Sequence, residues 1–235
     1  MSLPDTLPLA SFADLIAVAS STFTQSWQQQ RAITGGGETR FADRAPALWM
    51  AELVTPPMRH ADAEALMALA NSRAGGIKTV LLYNTKLPLP ASDPDGSIIG
   101  STVPRIAAID DRLHLSFSGF PPGYIMPLGT YFGLVFDSRR YLGQFAEARV
   151  ANGYGMISTV EVWPPLPAAV ATGLGVVVKK PSARFRLVPG SAYPTSVNQA
   201  FSTFALSAEQ TYSPGDEETI TPTPAAAPSY HLLGF

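Results

Sequence analysis

Two residue pairs, Pro56-Pro57 and Gly75-Gly76, constrain this chain most, because they fence a helical pattern between two strand patterns. Proline has no N–H for a sheet ladder and its ring clashes inside a helix, so the run from Trp49 ends at the first pair and a helix must begin after it. Residues 61–73 are strong helix formers, with Leu66, Leu69 and Ala70 on one stripe and Asp62 and Glu64 in the first turn, where the macrodipole favours anions. The glycine pair stops that helix, and the β-branched, apolar residues 77–83 suit a buried strand. The unit reads strand, helix, strand, and none of it carries chemistry.

Around it the chain is a series of short strand runs. Residues 83–105 form a proline-rich loop in which Asp93-Pro94-Asp95-Gly96 is a turn; the later acidic ligands of a calcium loop are missing. Residues 112–118 alternate, with Leu113, Leu115 and Phe117 on one side, and Pro121-Pro122-Gly123 turns the chain. Residues 131–136 are continuously apolar and read as a central strand. Residues 139–150 fit strand or helix, and the hairpin signal Asn152-Gly153 before residues 156–163 favours strand. Runs at 176–179, 184–188 and 201–207 complete the set. Regular short strands between Pro/Gly turns predict a mainly β fold, a β-sandwich or partly open barrel with one or two short helices. The second helix is expected at residues 11–20, with Ser11 as N-cap and Phe12, Leu15, Ile16 and Ala19 on one face.

Two segments fall outside that core. Residues 21–34 alternate without a clean apolar face, since Phe23, Trp27 and Ile33 share a side with Gln25, Gln29 and Arg31. Such a strand is either an edge or arm that pairs with a neighbour, or a mobile hairpin limb ending at Gly35-Gly36-Gly37. Residues 213–235 form a Pro- and Thr-rich arm beyond a β-rich domain of residues 1–212: an acidic knot at Asp216, Glu217 and Glu218, three alanines, then an apolar end. The middle of the arm cannot build a core and is expected to be extended. Its apolar end suggests docking on an adjacent subunit, with folding back on its own domain as the other reading. Phe23, Trp27, Tyr230, Leu232, Leu233 and Phe235 are accordingly the candidate inter-subunit contacts.

Composition narrows the function classes. With no cysteine there is no disulfide, thiolate metal site or cysteine nucleophile, and the net charge of −2 argues against a nucleic-acid footprint. No run approaches a membrane span, and the start of the chain, with Asp5 and no early Lys or Arg, does not read as an export signal. Only 14% of residues are charged, against roughly 25% in a typical soluble domain. An under-charged surface implies coverage by other subunits, although a large all-β domain rich in Thr, Ser and Gly would show the same deficit.

No catalytic, cofactor or metal-binding residue emerges. His60, His114 and His231 are not paired at metal spacing, and the nucleophile-elbow, Walker, Rossmann and H-E-x-x-H motifs are absent. Gly35-Gly36-Gly37 does not open a helix after a buried strand, so it is not a phosphate loop. Asp110-Asp111 are adjacent and point apart, which suits a hairpin turn better than the facing carboxylates of a glycosidase. Lys179-Lys180 and Arg139-Arg140 are short basic pairs suited to solvated strand ends. Trp27, Trp49 and Trp163 could form a sugar platform, but Trp49 and Trp163 sit in strand runs beside Pro pairs and fit core or rim packing.

Several of these segments, in this order, resemble one family. Trp49-x-Ala51-Glu52, Pro56-Pro57-Met58, the alanine-rich helix, Gly75-Gly76 and Thr79-Val80-Leu81-Leu82 resemble the N-terminal half of distal-tail-type proteins of long-tailed bacteriophages. The hairpin through Asn152-Gly153, then Glu161-x-Trp163-Pro164-Pro165-Leu166 and Pro181-x-Ala183-Arg184-Phe185-Arg186-Leu187, is similar too, and the likeness spans residues 22–212. It implies a non-enzymatic virion protein in the viral tail, assembled in the host cytoplasm as a commonly hexameric ring. Its implied partners are further copies of itself, the tail tube protein and the hub or baseplate proteins, with neither nucleic acid nor membrane. The rivals are a carbohydrate-binding β-sandwich at the tail tip and a glycan hydrolase.

Overall fold

A computed structural model describes residues 4–214. The arm from residue 215 on, with Tyr230, His231, Leu232, Leu233 and Phe235, lies outside the described residues. In chain order come β1 (Thr6–Leu7), β2 (Ser20–Ile33), β3 (Thr39–Val54), β4 (Met58–Arg59) and helix α1 (His60–Asn71). Next are β5 (Thr79–Tyr83), β6 (Arg105–Ile109), β7 (His114–Ser118), β8 (Ile125–Met126), β9 (Tyr131–Phe136), β10 (Arg139–Phe145) and β11 (Arg149–Val150). The series ends with β12 (Ile157–Trp163), β13 (Val176–Val177), β14 (Ser182–Leu187), β15 (Tyr193–Ser196) and β16 (Phe201–Gln210). The fold is mainly β, as the spacing of turns predicts, with one α-helix among the described residues.

The strands form two principal sheets, one closed and one open. The six-stranded sheet runs β13-β9-β10-β12-β7-β6, and its ends meet: Arg105 bridges Gly175, Ile106 N–H donates to the Leu174 carbonyl at 3.0 Å, and Val176 N–H to Pro104 at 2.7 Å. Closure into a barrel removes the unpaired edges that an open sheet would expose. Phe117, Phe132, Tyr141 and Phe145 fill the barrel, with Phe132 and Phe145 ring centroids 4.9 Å apart. Gly143 faces the same interior, and a Cβ there would come within 2.6 Å of the Phe132 and Tyr141 rings. The tight aromatic packing thus requires a residue without a side chain at that point.

The open sheet runs β1-β5-β14-β16-β3-β2, with β15 and β4 pairing along β16. Its core joins Trp49, Leu53, Phe185, Phe204 and Leu206 to Tyr131 and Leu142, which belong to the barrel wall. Successive strand residues point to opposite faces, so β9 sends Phe132, Leu134 and Phe136 into the barrel and Tyr131 into the second core. That double burial is why residues 131–136 read as unbroken apolar sequence.

The strand, helix, strand unit forms as expected, but β16 and β14 intervene between β3 and β5 in the sheet. Gly76 (φ +97°) ends the helical region where a Cβ would meet the Leu187 carbonyl at 2.6 Å, so the stop signal is also a contact with β14. At Asn152-Gly153 the turn closes through Asn152 N–H to the Met156 carbonyl at 2.9 Å, and β12 then pairs with β10 and β7 while β11 pairs with β8.

The helix expected at residues 11–20 is not formed. Leu9–Ser11 make a single 3-10 turn without a side-chain cap, irregular turns follow, and β2 begins at Ser20. A helix of that length is marginal by itself, and Ala19 N–H is captured by the Val54 carbonyl at 2.8 Å, which commits the chain to the sheet. Phe12, Ala13 and Ile16 are nevertheless buried in the second core, whereas Leu15 is 63% exposed.

Candidate functional site

Two adjoining features distinguish the surface: a projecting ribbon and an aromatic groove at its base. β2 lies at the edge of the open sheet, paired with β3 from Ser20↔Val54 to Ile33↔Thr39. β16 accompanies β3 only between Met50 and Val54, so among the described residues the stretch 28–45 continues as two strands without a third. At about 3.4 Å per residue the ribbon runs roughly 20 Å past the groove. Gly37 (φ +82°) lets the tip turn, closed by Thr34 N–H to the Glu38 carbonyl at 2.9 Å.

Cross-strand pairing puts Ile33 and Thr39, and Arg31 and Phe41, on one face of the ribbon. Ile33 and Phe41 are each 63% exposed there, beside a Gln29 amide donating to the Asp43 carboxylate at 2.7 Å. A two-stranded ribbon without a covered face is marginally stable in water. The strand expected at 21–34 is therefore an edge strand over its first half and, over its second, the limb of a hairpin that ends at Gly35-Gly36-Gly37.

The groove, of about 580 Å³, lies between β2 and the outer wall of the barrel. Phe23 and Trp27 enter from β2, Gln144 from β10, Trp163 from the end of β12, and Leu128 from the loop before β9; every lining residue is uncharged. Trp27 is 50% exposed and meets Trp163 edge-on at 5.6 Å. The Trp163 indole N–H donates to Glu161 at 2.7 Å, and the Gln144 amide to the Gly129 carbonyl at 2.9 Å, so both are held in place. Trp49 forms the floor and is buried, its indole N–H on the Leu142 carbonyl at 2.7 Å. Of the tryptophans weighed as a sugar platform, Trp49 is core, Trp163 rim, and Trp27 the open face.

Of the candidate contacts within the described residues, Trp27 is an exposed groove residue. Phe23 is half-buried, edge-on to Phe185 at 5.9 Å, and serves the second core as well as the groove wall. No sequence signal pointed to Leu128 or Gln144, because the barrel wall brings them to β2 from more than a hundred residues away.

His60 and His114, the Asp110-Asp111 pair and Lys180 serve structural tasks. The Asp111 carboxylate accepts the N–H groups of Leu113 and His114 at 2.6 and 2.7 Å and the His114 ring nitrogen Nδ1 at 2.9 Å, while Asp110 accepts the Thr159 hydroxyl at 3.0 Å. The hydrogen bond to Asp111 holds His114 above its ordinary pKa, with Glu161 and Glu147 adding smaller charge effects; the same bond, followed by the Leu113 N–H, holds Asp111 below its own. The two aspartates have different partners, as a hairpin turn requires. His60 Nδ1 is 2.7 Å from the Ser202 hydroxyl, and Lys180 pairs with Asp14 at 2.9 Å. Among the described residues no cluster of three or more metal-ligating side chains occurs, and no helix is long and apolar enough to cross a membrane.

No protein-family model and no curated protein matches this sequence. The chemistry of ribbon and groove therefore carries the functional reading.

Proposed function

We propose that this chain is a structural subunit of a bacteriophage tail, forming a ring at the distal end of the tail tube and joining the tube to hub or baseplate proteins. It acts in the virion by geometry and not by catalysis, after assembly in the host cytoplasm. The observation that carries the reading is the ribbon of residues 28–45, which presents Ile33 and Phe41 to solvent and has no third strand among the described residues. Coverage by a neighbouring copy would satisfy its apolar face and the free edge of β2 together. The low charge and the resemblance of residues 22–212 to distal-tail-type proteins point the same way. Native mass spectrometry of the purified protein tests it: a closed ring, expected at six copies, supports the reading, and a monomer that binds neither tube nor hub proteins ends it.

Trp27 favours a second reading, a carbohydrate-binding module at the tail tip, because a half-exposed indole beside the Gln25 and Gln144 amides suits a sugar ring. A glycan-array signal from a soluble monomer, lost in Trp27→Ala, would favour it over the ring.

A further inference from the structure

The groove lacks charge, is walled by aromatic rings and sits beside the ribbon assigned to assembly. Aromatic-lined grooves of this kind take proline-bearing segments, whose restricted backbone loses little freedom on docking. The chain supplies one. Beyond Pro214 the acidic Asp216, Glu217 and Glu218 come first, and residues 219–229 follow without a charge and with Pro222, Pro224 and Pro228.

The exit point matches that division. Arg186 Nη2 donates to the Ser213 hydroxyl at 3.1 Å, and Pro214 shares a recess with Asp5, Lys78 and Arg186. Lys78 is paired there with Asp5 at 3.2 Å, so Arg186 is the cation beside Pro214, two residues before the acidic run begins in the sequence. The exit lies on the β1–β5 side of the open sheet, and the groove begins at β2. Four strand spacings of about 4.8 Å separate β5 from β2, roughly 19 Å. Five extended residues from Pro214 to Thr219 cover at most about 17 Å and three more about 10 Å further, so residues 219–229 are long enough to reach the groove of their own copy or that of a neighbour.

We propose that the groove formed by Phe23, Trp27, Leu128, Gln144 and Trp163 seats residues 219–229 of a neighbouring copy. The proposal rests on the ring reading only for the origin of the segment in another copy.

The test uses the full chain with photoreactive benzoylphenylalanine in place of Leu128, which is 65% exposed at the groove. Isotopically light and heavy protein are mixed before assembly, irradiated and mapped by mass spectrometry. The expected result is crosslinks from position 128 of one isotope to residues 219–229 of the other. Their yield should fall about tenfold in Trp27→Ala, the scale of losing an aromatic anchor, and stay unchanged in Tyr154→Ser, an exposed control outside the groove lining. Crosslinks only within one isotope would return the arm to its own copy and overturn the exchange. Absence of crosslinks to 219–229, or a Trp27-dependent glycan signal in their place, would overturn the docking. The ring is read separately from native mass: a ring without the crosslink refutes the docking alone, and a monomer refutes the ring.

Discussion

The barrel and the ribbon are both antiparallel β structure, yet they satisfy opposite requirements. In the barrel every strand has two neighbours and the interior holds Phe117, Phe132 and Phe145 at ring separations of 4.9 to 5.6 Å. In the ribbon, among the described residues, two strands have only each other, and Ile33 and Phe41 face water. Both are antiparallel ladders with local register shifts. What differs is burial, so strand pairing by itself is poor evidence of local stability.

Mutation should separate the two regions sharply. Phe132→Ala empties the centre of the barrel and is expected to cost about 3–5 kcal/mol, measured as a fall in the urea midpoint. Trp49→Phe keeps most of the ring but leaves the buried Leu142 carbonyl without its donor, for about 1–3 kcal/mol by the same assay. In the ribbon, Ile33→Ser with Phe41→Ser should change the stability of the isolated subunit by no more than about 0.5 kcal/mol. The same pair should shift native mass from rings to monomers. A large loss of subunit stability from it would erase the contrast between the regions.

The smallest effect belongs to the exposed His114–Asp111 pair at the β6–β7 turn. NMR titration should place His114 above the ordinary value of about 6.5, and Asp111→Asn should return it toward that value. Because the folded value is raised, the pair's contribution is fully present below about 6.5 and is lost as pH rises through the raised value. Solvent screening keeps it small. An unshifted His114 would remove the bond to Asp111.

Much of this architecture was legible along the chain. Pro56-Pro57 and Gly75-Gly76 bound α1, and Asp110-Asp111 and Asn152-Gly153 mark real turns, because backbone restriction and local hydrogen bonding act within a few residues. The failure at residues 11–20 has the opposite cause. Their stripe fits a helix, but the open sheet captures Ala19 and the second core takes Phe12 and Ile16 without helical order. The groove was legible only in part: Trp27 was singled out on its strand, whereas its meeting with Trp163 was not.

Local chemistry in the sequence determined that this protein is mainly β, where its helix starts and stops, and that β2 lacks an apolar face of its own. Only the tertiary structure decided that one sheet closes on itself, that β9 and β10 serve two cores, and that Trp27 meets Trp163. The physical reason is range. Turn and strand preferences are set by neighbours in the chain, whereas closure and the groove depend on pairings such as Arg105 with Gly175, which gain energy only when distant segments are brought together.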